Sequence, residues 1–248
     1  MIKFIVYFIR ITAIAIVTLL FASCGGTFFN GIKGNGIVQT EKRTPKEKFT
    51  KISVSRGIEV LVEQADVVSI EVEADGNLVK HITTQVENGT LMVSSDENIY
   101  SATAEKVHVK MPVVEGLEAT SGSQLKTSGT LKSALNSTEI HLETTSGAEI
   151  EADLEYDVIY AESTSGSSMK LSGKTLKVRT ASTSGAEIHA EDLLANEVTA
   201  EASSGSATEV HPILNFIAKA NSGASIDYAG SPKNISKEES SGGSISSF

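Results

Sequence analysis

At 248 residues the chain has room for one large domain or two small ones. Lys and Arg number 21 against 31 Asp and Glu, a formal charge of −10, which leaves no basic surplus to displace counterions from phosphates and argues against a nucleic-acid partner. Aromatics are only 5%, Trp is absent and there is one cysteine, so the core must come from small and β-branched side chains without a disulfide or a cysteine-based zinc cluster.

Residues 1–23 follow the order of a secretory signal: Lys3 and Arg10, an apolar run over 11–22, then the small residues Ala22 and Ser23. The run after Arg10 falls short of the ~20 residues a spanning helix needs, and a span beginning at Phe4 would have to tolerate Arg10. Phe21-Ala22-Ser23-Cys24 resembles a bacterial lipoprotein box. That resemblance implies a diacylated Cys24 holding the protein on a membrane of the cell envelope, most readily the outer membrane, with the leaflet left open. Residues 24–48 then read as the anchored Cys and a Gly-, Lys- and Thr-rich tether, with an early strand at Ile37-Val38.

From Phe49 the pattern takes on period two, as strands require. Gly57-Ile58-Glu59-Val60-Leu61-Val62 and Val67-Val68-Ser69-Ile70-Glu71-Val72 are successive strands, and residues 78–86 fit one short helix or a bent strand. Asn88-Gly89 predicts a hairpin turn before Leu91-Met92-Val93, and the strand Val107-His108-Val109-Lys110-Met111 stops at Pro112.

Residues 115–248 carry about seven internal repeats. Ser precedes Gly122, Gly147, Gly166, Gly185, Gly205, Gly223 and Gly242, and successive glycines stand 25, 19, 19, 20, 18 and 19 residues apart. Three residues after the glycine comes an apolar side chain: Leu125, Ile150, Met169, Ile188, Ile226 and Ile245. In the Gly205 repeat it slips two residues late, to Val210. Seven before the glycine lies a second column, Ile140, Ile159, Val178, Val198, Phe216 and Ile235, with small residues between the two. A period this short excludes helical hairpins, and the even apolar spacing suits strands that bury their faces only by stacking. The prediction is an all-β solenoid, one coil of parallel β-helix per repeat, preceded by N-terminal β-strands. The glycine is expected to turn each corner with positive φ and, lacking Cβ, to let corners stack closely. Calcium-binding roll repeats are not indicated, because their Gly-Gly-x-Gly-x-Asp pattern is missing.

Phe49-x-x-Ile52-x-Val54, Gly57-Ile58-Glu59-Val60, Gly89-x-Leu91 and the Ser-Gly train ending in Asp227-Tyr228-Ala229-Gly230-Ser231-Pro232 resemble the bacterial family of auto-transporter adhesins with a head GIN domain, over residues 49–248. The resemblance implies a right-handed single-stranded parallel β-helix in an envelope lipoprotein of Bacteroidetes-type bacteria. It carries no catalytic residues with it.

Enzymatic chemistry has one opening. Two residues after each glycine a column predicts Gln124, Glu149, Ser168, Glu187, Ser225 and Ser244 in line, setting Glu149 and Glu187 two coils apart. Such a carboxylate pair suits a polysaccharide lyase or hydrolase at the long edge of the useful separation; otherwise the column is a solvated face. His141, His189 and His211 share no column and lack metal-ligand spacing, so no metal or other cofactor is expected. Tyr156 and Tyr160, expected in a loop between coils, are the best aromatic candidates for a ligand surface, together with Glu149 and Glu187. The reading is a non-enzymatic envelope lipoprotein whose β-helix binds a glycan or a protein; a structural or sensing component is the further alternative. The last coil, ending at Phe248, has no obvious cap and predicts a weak end-to-end homodimer.

Overall fold

The computed structural model describes residues 31–248, so the secretory signal and lipidated Cys24 expected from the sequence lie outside the described residues. The described chain is strand almost throughout, with one 3₁₀ turn, and none of its helices is long and apolar enough to cross a membrane.

The first part of the chain builds one end of the fold. Strand β1 (Ile32–Lys33) and strand β2 (Val38–Arg43) come first, and β2 extends the early strand expected at Ile37-Val38 and runs antiparallel to a later strand, Ser69–Asp75. Strands β3 (Lys51–Val54) and β4 (Glu59–Gln64) flank the corner Arg56-Gly57. After them come β5 (Ser69–Asp75), a 3₁₀ turn at Val79–His81 and β6 (Ile82–Glu87), so both features foreseen for residues 78–86 are present in succession. Asn88 and Gly89, both with positive φ, close the predicted hairpin from β6 into β7 (Thr90–Ser95). Strand β8 (Ile99–Ser101) pairs with β1, and β9 (Glu105–Met111) completes this region.

The remainder is a β-solenoid of about six turns. Its strands are β10 (Gly116–Ala119), β11 (Gln124–Lys132), β12 (Glu139–Thr144), β13 (Glu149–Thr164), β14 (Ser168–Thr183), β15 (Glu187–Ala202), β16 (Ala207–Ala220), β17 (Ser225–Tyr228), β18 (Asn234–Glu239) and β19 (Ser244–Ser247). Each turn lays one strand segment on face one, crosses a Ser-Gly corner and lays the next on face two. Strands β13 to β15 are long because each bends from face two of one turn to face one of the next. Every inter-turn pairing is parallel.

Both apolar columns stack as the repeat predicts. Ile140, Ile159, Val178, Val198, Phe216 and Ile235 are register partners in sequence, as are Leu125, Ile150, Met169 and Ile188. Burying each such side chain contributes roughly 1.5–3 kcal/mol. Beyond Ile188 the column three residues after the glycine corrects the expected slip. Thr208, not Val210, occupies the position between Ile188 and Ile226. Its hydroxyl is accommodated because Ser182 Oγ lies 2.8 Å away, so a buried polar group keeps a partner.

The corners correct a second expectation. At each one both the Ser and the Gly have positive φ, from 49° to 58° for the serines, the geometry of a type I′ turn. A Cβ built on Gly122, Gly147, Gly166, Gly185, Gly205 or Gly223 meets nothing within 4 Å. Glycine is therefore required by backbone conformation and not by close stacking.

The structure also adds a turn that the repeat count missed. Arg56 and Gly57 have φ of 62° and 79°, and Gly57 N–H donates to Ser121 O just as Gly122 N–H donates to Ser146 O. Strands β3 and β4 pair in parallel with β10 and β11, placing Val60 above Leu125 in the apolar column. Residues 65–115 separate this turn from the next, which hides the period. Strands β7 and β9 stack in parallel on β3 and β4, and antiparallel β6, β5 and β2 finish the two faces.

Candidate functional site

Strand residues alternate between lumen and solvent, so face one turns outward the residues four and six positions before each corner glycine. Parallel register stacks these into two ladders. The first holds His141, Tyr160, Arg179, Thr199 and Ile217. The His141 ring lies parallel on Tyr160 with centroids 4.5 Å apart, and the Arg179 guanidinium carbon stands 5.8 Å from the Tyr160 centroid. These neighbours come from the turns on either side, so both ring faces of Tyr160 are covered and no platform is left for stacking a sugar.

The second ladder is acidic: Glu118, Glu143 and Glu162 on consecutive turns, then Ala181, Glu201 and Lys219. Adjacent turns are ~4.8 Å apart, and like charges directly opposite one another cost stability. Among the described residues none of the three consecutive glutamates has an ion-pair partner, whereas Lys219 pairs with Glu238. Desolvation by burial, then the charges of Glu118 and Glu162, hold the Glu143 carboxyl above its ordinary pKa. A shallow groove of about 270 Å³ runs beside this ladder, lined by Glu143, Glu162, Thr164, Thr183, Glu201 and Lys219 among others.

Face two carries the column proposed from the sequence, and Gln124, Glu149, Ser168 and Glu187 are register partners, with Ala207 completing the line to Ser225 and Ser244. Glu149 and Glu187 stand two turns apart with Ser168 between them. Each has its own partner: Gln124 Nε2 donates to Glu149 at 3.0 Å, and Glu187 lies 3.2 Å from His189 Nε2. His189 Nδ1 is 2.9 Å from Glu209. The hydrogen bond with Glu209, supported by that with Glu187, raises the His189 pKa against the opposing pull of burial.

Tyr156 and Tyr160 do not share a loop; both belong to β13, and the bend between its two faces breaks the alternation and sends them to opposite sides. Tyr156 is 3% exposed, and its hydroxyl donates to Val114 O at 2.8 Å, so it is a core residue with its polar tip satisfied. It is thereby removed from the ligand surface. Tyr160 stands on face one, away from Glu149 and Glu187 on face two. The acidic ladder was missed, although its signal was present: Glu recurs four residues before Gly122, Gly147, Gly166 and Gly205. At the second bend, Leu176, Leu194 and Ile213 are exposed and line one hollow of about 460 Å³.

A stack of parallel turns bearing long outward ladders defines a parallel β-solenoid, with its distinctive chemistry on the solvent side of the strands. The chain belongs to the family described as “putative auto-transporter adhesin, head GIN domain”, whose model matches residues 48–232. A surface or envelope location goes with that family. Among curated proteins no match was found. Solved structures share the fold. A “putative adhesin” from Bacteroides fragilis is 19% identical, covering 88% of this chain and 100% of that one, with a TM-score of 0.80. A “putative adhesin” from Parabacteroides distasonis is 18% identical, with 88% and 99% coverage and a TM-score of 0.71. A “putative lipid binding protein” from the same species is 20% identical, with 88% and 99% coverage and a TM-score of 0.66.

Proposed function

We propose that this protein is a non-enzymatic, lipid-anchored envelope adhesin that holds a cationic partner, such as a basic protein segment, against face one. The observation that carries the reading is the run Glu118, Glu143 and Glu162 on consecutive turns without an ion-pair partner among the described residues. A fold gains nothing from stacking like charges, whereas a cation entering the adjoining groove relieves the repulsion. A formal charge of −10 favours the same class of partner and speeds its encounter. Sugar stacking is the weaker alternative, because Tyr160 is sandwiched and Tyr156 is buried. Cys24 supplies the anchor in this reading.

The test pairs two measurements. Binding of the purified protein to an array of basic peptides and matrix proteins is expected to fall at least tenfold in the Glu143→Gln/Glu162→Gln variant and to weaken with salt. Binding unchanged by the variant sinks the proposed face. Palmitate labelling is expected to disappear in Cys24→Ala, and labelling that persists removes the anchor. A second reading, contact with a lipid surface, is favoured by the exposed Leu176, Leu194 and Ile213, and co-sedimentation with vesicles lost in Leu176→Ser/Leu194→Ser would select it.

A further inference from the structure

We infer that the bulged turn of face two is a binding site for a divalent transition cation of the zinc type, with His189, Glu191 and Glu209 as its ligands. The argument starts from the spacing of the corners. Gly185 and Gly205 are 20 residues apart, while the preceding interval is 19 and the following one 18. The surplus is absorbed in β15. Against β14 the register shifts between His189 and Asp192, and against β16 Ala190 pairs with Val210 while Leu194 is the next residue in register, with His211. A bulge of this kind re-aims the side chain it carries, and the residue carried here is Glu191.

The re-aimed carboxylate arrives beside two groups held by regular register. His189 and Glu209 are direct partners across β15 and β16. One ligand atom from each of His189, Glu191 and Glu209 lies within 4.8 Å of the others. Glu191 Oε2 is shut off from solvent and has no hydrogen-bond partner. A shielded carboxylate oxygen left unpaired is costly, and a cation at this point would satisfy it. His189 is already oriented for the role. Glu187 sits 3.2 Å from Nε2, so when it accepts the Nε2 proton the Nδ1 lone pair faces Glu209, which is 2.9 Å away. A carboxylate behind an imidazole ligand is the usual support of a metal-binding histidine.

The donor set selects the ion. One imidazole nitrogen with two carboxylate oxygens suits zinc or manganese, offers nothing soft for copper(I), and falls short of the six to eight oxygens calcium takes. Tetrahedral zinc ligands at ~2.0–2.1 Å from the metal stand ~3.3 Å from one another. From the present spread of up to 4.8 Å the closing movement falls to Glu191 and Glu209, neither of which is fully buried. Three protein ligands leave a coordination position open toward solvent.

The experiment uses the protein purified from membranes in detergent and dialysed against a chelator, titrated with zinc chloride by calorimetry and followed by its melting midpoint. One equivalent is expected to bind and to raise the midpoint by several degrees. His189→Gln is expected to weaken zinc binding about 100-fold and Glu191→Gln at least 10-fold, with Glu187→Gln, a positioning change, weakening it roughly 10-fold. His108→Gln, at a histidine paired with Glu73 in the amino-terminal region, is expected to leave binding unchanged. Circular dichroism checks that each variant is folded, and Glu209→Gln replaces any that is not. No saturable binding below about 1 mM, or equal binding by wild type, His189→Gln and Glu191→Gln, overturns the site.

Discussion

The two ends of the solenoid solve the same problem differently. At the amino-terminal end, β6 extends face one and β5 with β2 extends face two, all antiparallel, while Leu78, Val79 and Ile82 are buried in the core cluster. At the carboxyl-terminal end β18 and β19 are the last strands of the described residues. Ile235 ends the column that contains Ile159, yet it is 48% exposed where Ile159 is 0%. Identical side chains in identical register thus differ only in having a turn on both sides. Burial in a solenoid belongs to the stack and not to the repeat.

The open end is nevertheless protected. Ile245 N–H and C=O point to where the next turn would lie, and they are met instead by Glu239 Oε1 at 2.6 Å and Lys237 Nζ at 3.2 Å. Two charged side chains occupy the pairing sites of an edge strand, a recognised guard against edge-to-edge association. Lys237 also lies over the Tyr228 ring, 4.5 Å from its centroid.

The sharpest way to break this comparison is truncation along one column. Ile159→Ala is expected to cost about 2–5 kcal/mol, and Ile235→Ala less than about 1 kcal/mol, in denaturant unfolding. Equal losses would mean that the terminal turn is as well packed as the middle. A smaller effect is expected at the capped end, where burial of Glu105 raises its pKa from 4.5 to about 7 and its Oε1 has no hydrogen-bond partner. Between those values the unfolded chain releases its proton first, so this group lowers stability as pH rises from about 4.5 to about 7, after which its effect is constant. Glu105→Gln is expected to remove that decline and, because the group is partly solvated, to gain on the order of 1 kcal/mol at pH 8, a ~2–4 °C rise in midpoint, with little gain at pH 4. The smallest effect on stability, but a clear one on association, is expected from Lys237→Ala/Glu239→Ala. Freeing the Ile245 edge should strengthen end-to-end pairing, seen as faster sedimentation at high concentration; an unchanged profile would show that these side chains guard nothing.

Much of the architecture was legible beforehand. The Ser-Gly corners, both apolar columns and the Asn88-Gly89 hairpin follow from local rules, since positive φ and period-two burial leave marks on neighbouring residues. The candidate surface was less legible. Tyr156 and Tyr160 lie four residues apart in one strand, where strict alternation would send both to the same side, yet the bend of β13 between its two faces sends one inward and one outward. The acidic ladder was readable in the spacing, but its meaning depended on knowing that, among the described residues, Glu118, Glu143 and Glu162 have no ion-pair partner.

Composition, period and corner chemistry are properties of short stretches, and the amino-acid sequence determined them alone: an all-β stack of turns near 19 residues, each needing a neighbour to bury its apolar plug. The tertiary structure decided what depends on hydrogen bonding between turns. Inter-strand register absorbs an insertion as long as residues 65–115, so Arg56-Gly57 joins the stack although linear spacing hides it. The same register absorbs the surplus residue of β15 as a bulge, and the bulge turns Glu191 toward His189. Pairing aligns strands in space without preserving the number of residues between them, which is why period predicts the scaffold and only the assembled stack reveals its sites.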